Sequence, residues 1–186
     1  MKLSLGARSA VKLVTTAEMK EFLKVDILIT NDDTLIDNLV KGAMIEFEEY
    51  ARIALLTQTW NLYLDKIGQK IELPRPPLQT VEHFYWYDEN YAQTEMTAAL
   101  YITRILSAAE PGYILRKPAV SWEVYTVNGD GIKVEFTAGY GDAATDVPQD
   151  IVEAIKSIVA WRYENRGSKE IPGDAQAVMD RYKVYY

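Results

Sequence analysis

The sequence predicts an α+β protein, on three observations. Apolar residues recur at helical spacing over 30–55 and again over 148–166. Between these segments, after Leu56, the period drops to two and stays there for roughly 80 residues, which is the habit of half-buried strands. A strand–turn–helix joint then closes the middle. Ile132, Val134 and Phe136 alternate with Lys133, Glu135 and Thr137, Gly139 and Gly141 punctuate the run, and Pro148 stands within a residue or so of the first helical position, with Asp146 or Val147 as the expected cap.

Taken in order, residues 1–14 show no periodicity and read as an extended arm, either disordered or docked on a neighbour. Thr15 and Glu18 have the spacing of a capping box, with Val14 and Met19 placed as a hydrophobic staple. A short helix is expected through Met19, Phe22 and Leu23, ending near Val25. Thr30 followed by Asp33 repeats the cap and predicts a long helix to about Leu55. Leu35, Ile36, Leu39, Val40, Met44 and Phe47 fall on one half of its wheel; Asp37, Lys41, Glu48, Glu49 and Arg52 fall on the other, as the i,i+4 pairs Asp37–Lys41 and Glu48–Arg52 of a wet face. Ile45 is alone among those charges. It is either an ordinary exposed isoleucine or an interface residue.

Trp60, Leu62 and Leu64 alternate with Thr59, Asn61 and Tyr63 as one strand, and Val81 to Tyr87 is another, aromatic on both faces. Pro74-Arg75-Pro76-Pro77 between them biases each preceding residue away from helix and reads as a stiff strand-to-strand connection; the competing reading is an SH3-type ligand. Asp88-Glu89-Asn90 is a turn. Leu100 to Leu106 and Tyr113 to Arg116 are short strands around Glu110-Pro111-Gly112, and Asn128-Gly129-Asp130-Gly131 is a tight turn into the strand at Ile132. The middle of the chain is therefore a small antiparallel sheet or barrel.

The helix after Pro148 has an unusually wide apolar arc: Ile151, Val152, Ala154, Ile155, Ile158, Val159, Trp161 and Tyr163 cover more than half the wheel. Arg162 and Arg166 project from within that arc, near the end where the helix dipole favours cations. They either snorkel past the core into water or cross to a neighbouring subunit. Arg166-Gly167 ends the helix. Pro172 and Asp174 open a last short one through Val178, Met179 and Tyr182, and Val184-Tyr185-Tyr186 forms an apolar tail.

Composition narrows the function classes. The 186 residues are enough for one domain, or one with an insertion, to bury a core without staples, and the absence of cysteine excludes disulfides, thiolate chemistry and thiolate zinc sites. No run approaches a membrane span, and the N-terminal stretch is too interrupted for a signal peptide, so a cytosolic product is expected. A net charge of −7 argues against a protein that grips nucleic acid, though not against one that lets DNA slide past. The 13 Tyr, 4 Trp and 4 Phe suit interfaces as well as cores.

A catalytic set is not evident. His83 is the only histidine, so any metal site would be built from carboxylates. Asn128-Gly129-Asp130-Gly131 lacks the bidentate acid that completes a calcium loop, and Gly139-Tyr140-Gly141 is too short for a phosphate loop and has no lysine. Two other classes stay open: a β-domain module recognising a peptide or sugar on the aromatic strand Val81–Tyr87, and an enzyme working through Asp142 and Asp146.

An ordered set of segments carries a resemblance. TAEMK at 16–20, DDTLI at 32–36, LTQTW at 56–60, LPRPPLQTV at 73–81, FTAGYGD at 136–142, VP at 147–148 and WRYENR at 161–166 resemble, in the same order, the head–tail connector (adaptor) proteins of tailed phages and gene transfer agents, over most of 15–167. The resemblance implies a helical bundle formed by the N- and C-terminal helices, 15–56 with 146–186, holding an inserted antiparallel β-domain at 57–145 behind the arm 1–14. It implies a ring of about twelve copies closed by heterologous contacts. The ring would sit at the head–tail junction of a virion assembled in the bacterial host cytoplasm, bind the portal protein, and dock the next tail-side protein, a stopper or tail terminator. DNA would pass through its lumen without specific binding; no enzyme activity, cofactor, metal or membrane is implied. Trp161, Arg162, Arg166 and Ile45 are the expected subunit contacts, and Tyr182, Tyr185 and Tyr186 the expected portal contacts.

Overall fold

The structure is a computed structural model and describes residues 1–66, 68–107, 110–118, 130–168 and 170–185. The chain is α+β and divides into two compact units, one of 1–9 with 57–140, the other of 10–56 with 141–186.

The first unit is antiparallel throughout. Its five-stranded sheet runs β1 (Lys2–Arg8), β2 (Gln58–Leu64), β8 (Ile132–Ala138), β4 (Leu78–Tyr87), β5 (Gln93–Glu95) in spatial order; β3 (Lys70–Glu72), β7 (Tyr113–Arg116) and β6 (Tyr101–Arg104) make a second sheet of three. β8 lies between β2 and β4 with Trp60 opposite Phe136, Leu62 opposite Val134, and Phe84 opposite Val134 on the other side. Ile132, Val134 and Phe136 are all buried, as their alternation requires. Phe84 meets Tyr101 of β6 edge-on at 5.4 Å, linking the sheets. Asp88 makes the expected turn, its Oδ1 accepting the N–H groups of Asn90 and Ala92. Of the turn expected at 128–131, residues 128 and 129 lie outside the described residues.

Residues 1–14 differ from the expected arm. Lys2–Arg8 is an edge strand on β2, with a bulge between Leu5 and Ala7, and Leu13 and Val14 are buried. Leu3 and Leu5 do alternate, but none of the seven strand residues is buried, so the strand carries no amphipathic signal.

The second unit is a bundle of α1 (Thr16–Leu23), α2 (Asp33–Ala51), α3 (Gln149–Glu164) and α4 (Gly173–Arg181). The Thr15–Glu18 capping box forms, and Val14 and Met19 are buried together as the staple demands. Four local expectations are corrected. The N-cap of α2 is Asp32, not Thr30, and its carboxylate caps no helix N–H, accepting the Tyr163 hydroxyl at 2.6 Å instead; the helix stops at Ala51, where Arg52 turns left-handed, and not near Leu55. Glu48 is buried instead of wet: its Oε1 accepts the Leu55 N–H at 3.0 Å, holding the chain as it leaves the helix. Asp37 is bound by the Lys12 ammonium at 2.5 Å and by Thr16, which together hold its carboxyl below the ordinary aspartate range; Lys41 adds only a weak attraction.

The joint into α3 needs both of its glycines. Gly139 has φ +130, and a Cβ on Gly141 would lie 2.1 Å from Asp146 Oδ2, whose carboxylate accepts the Ala143 N–H at 2.9 Å. Asp146 therefore serves that turn, and Pro148 stands at the cap of α3.

Helix α3 is the centre of its bundle. α1, α2 and α4 all pack on it, burying Ile151, Val152, Ala154, Ile155, Ile158 and Val159. The width of its apolar arc is thus accounted for by three neighbours in the same unit, and only its last turns stay half-buried.

Candidate functional site

The residues expected at a subunit contact lie on α2 and the last turns of α3. Ile45 is exposed on α2. The Arg162 guanidinium neither snorkels into water nor stands free: it donates through Nη2 to Glu46 Oε2 at 2.5 Å, tying α3 to α2 beside Ile45, while its buried Nε has no acceptor among the described residues. Trp161 is half-buried with its indole N–H 3.4 Å from Ser168 Oγ. Arg166 is exposed, its guanidinium 6.0 Å from the Tyr163 ring centroid. The hydrogen bond to Asp32, with burial second, holds the Tyr163 phenol above its ordinary range.

The three tail tyrosines separate. Tyr182 is half-buried at the end of α4, and its hydroxyl donates to Asp150 at 2.9 Å from Oδ1 and 3.1 Å from Oδ2. Val184 is buried and its N–H donates to Ala51 O at 2.9 Å, which pins the tail to α2. Beyond that pin Tyr185 is 78% exposed, with the Lys183 ammonium 5.7 Å from its ring and 4.2 Å from that of Tyr50. Tyr186 lies outside the described residues.

Two further features escaped the sequence reading. The loop after α1 exposes Ile27, Leu28 and Ile29, and Phe22 on α1 is exposed as well, although its helical spacing suggested a core position. The only signal was an apolar triplet outside any periodic segment. In the first unit a groove of about 370 Å³ is lined by Leu3, Tyr63, Tyr87 and Tyr91, with Lys2 and Asp130 paired at 2.5 Å among its other residues. It joins four separate parts of the chain, which no local pattern announces.

The residues weighed for chemistry have local partners. His83 Nδ1 is 2.9 Å from Glu95 Oε1 and the ring stacks on Tyr85; the Glu95 contact raises its pKa. Asp146 is engaged in its turn, and Asp142 is exposed. Among the described residues no three His, Asp or Glu side chains group as a metal site, and no helix is long and apolar enough to cross a membrane.

No family model and no curated relative matches the chain. Solved structures do. The chain is similar to a protein in the neck of an empty gene transfer agent (GTA) particle computed with C6 symmetry, with a TM-score of 0.84 at 22% identity over 100% of this chain and 97% of that one. It is similar to one in the virion of a native GTA particle, with a TM-score of 0.82 at 21% identity, and to one in the neck of a native GTA particle computed with C12 symmetry, with a TM-score of 0.81 at 22% identity; coverage is again 100% and 97% in both. At these identities the likeness establishes the fold, shared end to end.

Proposed function

We propose that this chain is a head–tail connector (adaptor) of a tailed phage or gene transfer agent, a structural virion protein and not an enzyme. The observation that carries this is the fold match over the whole chain to proteins of GTA particles, two of them in necks computed with C6 and C12 symmetry. About twelve copies form a closed ring by heterologous contacts under the portal, extend the DNA channel and offer the next tail-side protein its docking face. The net charge of −7 suits a channel past which DNA moves without adhering.

Within this reading Trp161, Arg162, Arg166 and Ile45 form one candidate ring-contact patch. Its support is that Arg162 is steered by Glu46 to the same part of α2 as the exposed Ile45. Tyr185, with Tyr186 beyond it, is the better-supported portal contact, since Tyr182 already spends its hydroxyl on Asp150. Deleting the gene from a particle-producing strain tests the role. The expected result is DNA-filled heads that fail to join tails, restored by supplying the protein in trans; normal yields of tailed particles would refute it.

A further inference from the structure

We draw no further inference here: the strongest candidate, the exposed apolar patch of Ile27, Leu28 and Ile29 on the loop between α1 and α2, braced from beneath by the buried Lys20 ammonium, carries none because nothing in the structure shows what covers it.

Discussion

The hydroxyl of Tyr182 lies 2.9 Å from Asp150 Oδ1, joining the end of α4 to the first turn of α3, where Arg181 Nη1 also reaches Asp150 at 2.9 Å. Tyr182→Phe removes one hydrogen bond to a carboxylate that keeps its arginine. It is expected to cost about 1 kcal/mol in urea unfolding with little effect on portal binding, whereas Tyr185→Ala is expected to spare stability and weaken portal binding. The reverse pattern would move the portal contact from Tyr185 to Tyr182.

Arg162 and Glu46 are partly solvated, with side chains 17% and 33% exposed, so screening limits what their pairing contributes. A double-mutant cycle of Arg162→Met and Glu46→Gln is expected to return a coupling of about 1 kcal/mol. A coupling near zero in the isolated chain would mean that Arg162 is available to another partner.

Lys20→Met should be severe for a lysine. It leaves Asp33 without its cation and the carbonyls of Ile27 and Ile29 without their buried donor, at a cost of about 2 kcal/mol. Limited proteolysis should then open the chain at 26–29 first. Unchanged resistance there would show that the loop does not depend on the ammonium.

As the only histidine, His83 gives a single imidazole signal by NMR. Its hydrogen bond to Glu95 raises its folded pKa above the ordinary value, so the stabilisation is fully present below the unfolded pKa of about 6.5 and is lost as pH rises through the folded pKa. Amide exchange at Gln93–Glu95 should quicken over that interval, beyond its intrinsic base catalysis. A titration midpoint at or below the ordinary value would contradict the pairing.

What the sequence revealed was what local spacing controls. The Thr15–Glu18 box and the alternation Ile132, Val134, Phe136 are decided within a few residues, and both stand as read. The helix cap falls two residues after the expected Thr30, and the Asp32 carboxylate goes to Tyr163, 131 residues away, instead of to the helix; Glu48 left the wet face because the chain beyond Ala51 turns back to use it. β3 and β5 have three residues each, too few to show a period. The α3 arc was legible as apolar, but its width reflected three neighbours in one unit and was no evidence by itself of a partner. Ile27, Leu28 and Ile29 went unnoticed because exposure, unlike amphipathicity, has no local signature.

The ring itself is the central claim, and light scattering of the purified chain, alone and with the portal protein of the same genome, tests it most directly. The account predicts a particle of about twelve chains in one or both samples, since assembly can be driven by the template. A mass of one chain, 21.2 kDa, in both samples would contradict it.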